Sequence, residues 1–345
     1  MSASRQADVL VIGGGIVGLC VAWAAAPAHS VAVLERARIG HDSGSSSGDA
    51  RLRVLAAYPD DSYIERGLAA GEDWAAAGRA CGRSLLTVTG CLSWGAGQDD
   101  LRRGLERHGL AHEAWTQSDV DRAYLGVRLP SGVVAIHQAD GAVIHAARAL
   151  AAFARQAQAR GAVVHEGVSV TSIQPGEHMV RVSTSAGEWS CSQAVVCAGP
   201  WARSLLAAAG ISLAVTTTSQ TVCYFPHAGP PPPGLIEYGE PDPYSLWSPD
   251  HGLKAALHAA GPRAEPDNRV APDARAAQLV AEWVGERFGH AGGTAQPRLA
   301  TCLYTSTADE RFQITRHGRV IVVSACSGHG FQYAPDTGRR AAALL

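Results

Sequence analysis

The chain has 345 residues, enough for more than one hydrophobic core, and its 46% hydrophobic and 17% charged composition is that of an ordinary globular protein. A net charge of −2 leaves no basic footprint for nucleic acid or anionic lipid, and the apolar N-terminal stretch is broken by glycines rather than continuous enough to span a bilayer. Eight cysteines without CxxC or CxxH spacing argue against a zinc centre or a disulfide framework; with no signal-peptide pattern, the expected compartment is cytoplasmic and no metal is expected.

The first elements carry a dinucleotide signature. Ala7 to Ile12 reads as a short apolar strand and runs into Gly13-Gly14-Gly15-Ile16-Val17-Gly18. An alanine-rich helical stretch follows, then a second strand over Val31–Leu34 that ends at Glu35 and Arg36. This is GxGxxG in its full setting of strand, turn, helix and acidic residue. Gly13 makes the turn, Gly15 admits a pyrophosphate, and Gly18 lets the helix pack close to the strand. The helix N-terminus at Ile16 and Val17 offers N–H groups to phosphate, and Glu35 is placed to accept from a ribose.

Further along come Ser45-Ser46-Ser47-Gly48-Asp49-Ala50-Arg51, then strands around Gly161–Val170. Gln193–Cys197 reads as a buried strand closing on Ala198-Gly199-Pro200-Trp201. A nicotinamide dehydrogenase would show one contiguous early six-stranded unit; here the cofactor lobe is assembled from distant segments, which favours FAD. Val170, Ala198, Gly199 and Trp201 join the candidate cofactor residues. Of the 29 basic side chains 28 are arginine and one is lysine, Lys254, within Gly252-Leu-Lys-Ala-Ala-Leu-His258. A compact ammonium can lose its proton on burial, as a guanidinium cannot. The chain closes with Cys302-Leu-Tyr304-Thr-Ser-Thr-Ala-Asp-Glu-Arg-Phe-Gln-Ile314, a strand at Val320–Ser324, and Ser327-Gly328-His329-Gly330-Phe331-Gln332.

These four motifs resemble the D-amino acid oxidase (DAO) superfamily, and within it the monomeric sarcosine oxidase and N-methyltryptophan oxidase family, over nearly the whole chain. The resemblance implies an α/β fold of two lobes: a Rossmann domain of the glutathione-reductase type that binds FAD, from residues 1–80, 135–204 and 299–345, and a substrate domain with a mixed or antiparallel sheet, from 81–134 and 205–298. It places Ser47, Gly48, Ala50 and Arg51 along the flavin, Lys254 at the oxygen-activating position and His258 in the substrate cavity. Gly328, His329, Gly330, Phe331 and Gln332 fall at the flavin's pyrimidine end. Cys302 matches the cysteine that forms a thioether with the flavin 8α carbon; the other outcome is a thiol beside non-covalently held FAD. Tyr244 and Tyr304 would shape the pocket; the aromatic pair Tyr244 and Trp247 near its mouth suits either a planar substrate or packing under the sheet.

Two departures bear on substrate. The family's second arginine, which pairs with the substrate carboxylate, is Val54, with Arg53 one position earlier as a substitute facing the other way. The family's carboxylate-binding lysine is Gln332. Two charge-assisted contacts, about 1.5–3 kcal/mol each, are thereby altered. The expectation is an oxidase that uses O₂ and takes a hydride from an amine or amino-acid-derived small molecule other than sarcosine. The alternative is an oxygenase acting on an aromatic, indole-like intermediate of secondary metabolism. The working assembly is a monomer or small homo-oligomer.

Overall fold

The apolar run after the N-terminus becomes the strand Arg5–Ile12, whose last four residues are buried. Burial on both faces is what a central strand of a parallel sheet requires, and it explains the unbroken Val-Leu-Val-Ile. In this computed structural model, residues 5–40, 49–54, 58, 60–268, 270–289 and 296–345 are described. The expected contacts of Ser47 and Gly48 lie outside the described residues.

Arg5–Ile12 pairs in parallel with Val31–Glu35 on one side and Gly187–Val196 on the other. Val163–Glu166 extends the sheet beyond Val31–Glu35, and Val320–Ser324 adds to Gly187–Val196 in parallel. Thus the strand ending at Cys197 does lie beside the first one. The helix Ile16–Ala25 is apolar nearly all round, as a helix covered on every side must be. It packs against the helices Ala146–Ala159 and Ala334–Ala342. At the second contact a Cβ on Gly338 would lie 2.5 Å from the Cys20 carbonyl carbon, so the crossing depends on glycine.

A second eight-stranded sheet roofs the first lobe. Its core is Thr216–Phe225, flanked by Arg298–Ser306 and Gly252–Leu257, with Pro243–Ser248 next. The motif strands carrying Cys302, Tyr304, Lys254 and Tyr244 are therefore neighbours in one sheet, although they are far apart in sequence. A three-stranded sheet, Ala50–Arg53, Ala142–His145 and Leu86–Val88, ties the lobes together. No helix among the described residues is long and apolar enough to cross a membrane.

Candidate active site

Three connected spaces run between the sheets. The first, about 430 Å³, is lined by Gly13, Gly15, Glu35, Arg36, Gly199 and Trp201. Val170 and Ala198 also line it. The second, about 120 Å³, is a narrow channel past Gly15, Ile16, Val17, Cys302 and Cys326. The third, about 540 Å³, contains His258, His329 and Gln332. Gly15, Cys197 and Gly199 are shared by the first two, and Arg51, Tyr244, Lys254, Tyr304, Gly328 and Phe331 by the last two. An extended dinucleotide fits such a succession: nucleoside in the first, pyrophosphate at the helix N-terminus, flavin ring in the channel and its mouth.

The glycine loop is built for close approach. Gly13 has φ +105°, and a Cβ there would lie 2.5 Å from the Cys197 carbonyl oxygen. A Cβ on Gly18 would lie 1.9 Å from the Gly13 oxygen. Neither position admits another residue without moving backbone. The Glu35 carboxylate accepts hydrogen bonds from the Gly14 and Ala37 N–H groups, at 2.7 and 2.8 Å, and so braces the loop as well as lining the nucleoside space. Arg36 stacks over the Trp201 ring at 4.5 Å, and both side chains reach Asp267, at 3.1 and 2.9 Å. Asp267 was not legible as a site residue, since nothing near it in sequence resembles a motif.

At the other end the side chains converge around Asp49. Lys254 Nζ lies 2.8 Å from Asp49 and donates to the Ala50 carbonyl at 3.1 Å. Tyr224 donates its phenol to the same carboxylate, Ser248 approaches at 3.3 Å and Arg51 at 3.8 Å. Burial alone would raise the Asp49 carboxyl; Lys254 and Arg51 beside it outweigh that and hold it well below the usual range. For Lys254 burial lowers the pKa, Arg51 lowers it further, and Asp49 opposes both. Burial works against the charge of Arg51 too, but the Cys302 sulfur and Asp49 beside it win and raise its pKa.

The sequence-predicted residues come together with few exceptions. Lys254, Arg51, Tyr244, Tyr304, Cys302 and Phe331 border the channel. Tyr244 and Tyr304 oppose their hydroxyls at 3.4 Å, and burial pushes the Tyr244 phenol up to about 12, so it is neutral and able to donate. Gly328 sits so close that a Cβ would fall 2.3 Å from the Tyr304 ring and 2.6 Å from His258. Trp247 does not join them: on a strand, residues 244 and 247 point to opposite faces, and Trp247 lines neither channel nor cavity but packs on the Ala50, Val143 and Leu246 cluster, edge-on to His145. Arg53 also turns away, to Asp140 at 3.9 Å, while Val54 and Gln332 line the cavity. Gln332 accepts from the Val54 N–H through its side-chain oxygen at 2.9 Å.

Sequence reasoning missed the cavity's acidic wall. Asp242 and Glu310 line it, and burial, with Glu310 nearby and His258 opposing, pushes Asp242 up to about 6. Glu310 Oε1 lies 3.7 Å from His258 Nε2, and the ligating atoms of His258, Glu310 and His329 lie within 4.8 Å of one another. Burial lowers His329 to about 4, so its ring is neutral. Glu310 was inside a quoted motif; Asp242 had no signal beyond its nearness to Tyr244.

A dinucleotide lobe with a parallel core, roofed by a mixed and mostly antiparallel sheet, with a channel from the glycine loop to a buried lysine, defines a flavin-dependent oxidoreductase. The FAD dependent oxidoreductase (DAO) family model matches residues 8–344, and the chain belongs to that family. It is similar to human peroxisomal sarcosine oxidase, with 29% identity over 96% of this chain and 90% of that protein. Probable sarcosine oxidase of Arabidopsis thaliana is 30% identical, over 96% and 86%. Among solved structures, the open form of NikD, described as an unusual amino acid oxidase essential for nikkomycin biosynthesis, superposes with TM-score 0.88 at 25% identity over 99% of this chain and 94% of that one. L-proline dehydrogenase from P. horikoshii shares the fold, with TM-score 0.88 and 21% identity over 99% and 93%. The chain is an FAD-dependent enzyme.

Proposed function

We propose that this enzyme is an oxidase that removes a hydride from a carbon next to an amine nitrogen, yielding an imine, and passes the two electrons with two protons to O₂ as H₂O₂. Bound FAD supplies the hydride acceptor. The observation that carries the O₂ reading is Lys254: the chain's lone lysine, buried, 2.8 Å from Asp49 and bordering both channel and cavity. A fixed cation there stabilises negative charge developing on reduced oxygen. Arg51 adds a second positive charge on the same side. Tyr244 and Tyr304, held as neutral phenols, orient the amine, and His258 and His329 line the side from which it enters. Cys302 lines the channel together with Arg51 and Tyr304, and a thioether to the flavin is the attachment we assign to it.

Val54 and Gln332 in place of cationic anchors argue against sarcosine as the substrate. The test is the ratio of H₂O₂ formed to O₂ consumed with secondary amines. A ratio near one supports an oxidase; O₂ uptake without peroxide, with oxygen found in the organic product, would replace it with an oxygenase.

A further inference from the structure

Charge is distributed unevenly in the 540 Å³ cavity. The two fixed cations, Arg51 and Lys254, border both the channel and the cavity and are paired with Asp49. The same lining presents Asp242 and Glu310, with Glu240 exposed among the lining residues. Against those carboxylates stand one imidazole within ion-pairing distance of Glu310, His258, and a neutral His329. Both ring nitrogens of His329 are buried and have no hydrogen-bond partner among the described residues, so they are available to a ligand.

The rest of the lining mixes aliphatic side chains with aromatic ones. Tyr58, Tyr238, Tyr244, Tyr304 and Phe331 all contribute to it. Aromatic faces attract an ammonium through the ring quadrupole, and a carboxylate beside them completes a site for a cation. The same wall is hostile to an anion. Val54 is aliphatic, the Gln332 side-chain oxygen is committed to the Val54 N–H at 2.9 Å, and Arg53 is turned to Asp140.

We infer that the cavity selects a substrate carrying a second positive charge, a diamine-like molecule whose remote ammonium is held by Asp242, Glu310 and the tyrosine wall while its other amine is oxidised. This rests on the amine-oxidase reading and sharpens it: Asp242 and Glu310 determine specificity, and the remote group is a cation where the family resemblance implies a carboxylate. The reaction is unchanged. The substrate's C–N single bond becomes a C=N bond with loss of a hydride and a proton, O₂ is reduced to H₂O₂, and the remote ammonium stays intact.

Three secondary amines of matched length separate the cases: N-methylputrescine, with an ammonium tail; N-methylpentylamine, neutral; and 4-(methylamino)butyrate, a carboxylate. Anaerobic bleaching of the flavin in the holoenzyme reports reduction directly. The ammonium compound is expected to give kcat/KM at least about tenfold above the neutral one, the size of one charge-assisted contact, with the carboxylate last. Asp242→Asn and Glu310→Gln should each shrink the ammonium-to-neutral ratio. Preference for the carboxylate, or a ratio untouched in both variants, would overturn the inference. Should none of the three reduce the flavin, the oxidase reading falls by itself. Binding then decides: putrescine must perturb the oxidised flavin spectrum at lower concentration than succinate, and the reverse order refutes the cationic site.

Discussion

Asp49 and Lys254, 205 positions apart in the chain, form a buried ion pair with 2.8 Å between oxygen and nitrogen. A buried lysine keeps its charge only if something opposes desolvation, and here the repulsion from Arg51 adds to that cost. Asp49 supplies the opposition. Lys254→Met should slow reoxidation of reduced flavin by O₂ about a hundredfold, in the range of a lost charge stabiliser, while flavin stays bound. Stopped-flow mixing of reduced enzyme with O₂ measures it; unchanged reoxidation would remove Lys254 from the oxygen chemistry. Asp49→Asn takes away the group that raises the lysine's pKa. The alkaline fall in reoxidation rate should then move to lower pH.

Cys302 borders the channel together with Arg51, Lys254 and Tyr304. A cysteine sulfur is the nucleophile that attachment at the flavin's 8α carbon requires. On a denaturing gel the wild-type chain should carry flavin fluorescence, and Cys302→Ala should release the flavin on denaturation. Fluorescence that fails to travel with the wild-type band would show non-covalent FAD and leave the rest of the site intact.

What could be read in the sequence was local. Gly13, Gly15 and Gly18 act within one turn, and Cys302 and Tyr304 lie on one strand, so spacing alone places them. Trp247 shows the limit within a strand: nearness to Tyr244 left a substrate contact and packing under the sheet equally open, and its odd spacing from Tyr244 decides for packing. Asp49 is a nonlocal case, because its role exists only once Ala50–Arg53 meets Gly252–Leu257 in space. Asp242 and Glu310 are harder still. Their importance depends on which side chains face them, and that is visible only when Val54, Gln332 and Arg53 have been located in space.

Gly18→Ala tests the dinucleotide loop. The added Cβ would lie 1.9 Å from the Gly13 oxygen and 3.3 Å from Val11, in a helix clasped by two others. Overpacking of this kind costs about 1–3 kcal/mol. Purified variant should hold less than the wild-type FAD per chain, read from the ratio of 450 to 280 nm absorbance relative to wild type, with a lower melting temperature. Full FAD occupancy would mean the helix shifts freely, contrary to its tight crossing at Gly338.

Asp242 gives a pH dependence with a definite sign. It faces His258, Glu310, Tyr58 and Tyr238, and burial lifts its pKa to about 6. The ordinary carboxyl value is lower, so the folded protein holds this proton more tightly than the unfolded chain does. That contribution to stability is complete below the ordinary value and is lost as pH rises through about 6. Cation binding runs the other way: below pH 6 the group is neutral, above it is a carboxylate, and an aliphatic ammonium stays protonated throughout. Affinity for N-methylputrescine should therefore rise as pH goes from 5 to 7, by up to about tenfold for one charge-assisted contact. N-methylpentylamine, whose tail is uncharged, keeps a single charged nitrogen for comparison and should show a smaller rise. Titrating the oxidised flavin spectrum with each amine at several pH values measures this, and Asp242→Asn should flatten the difference. A difference that persists in the variant would assign the titration to another group.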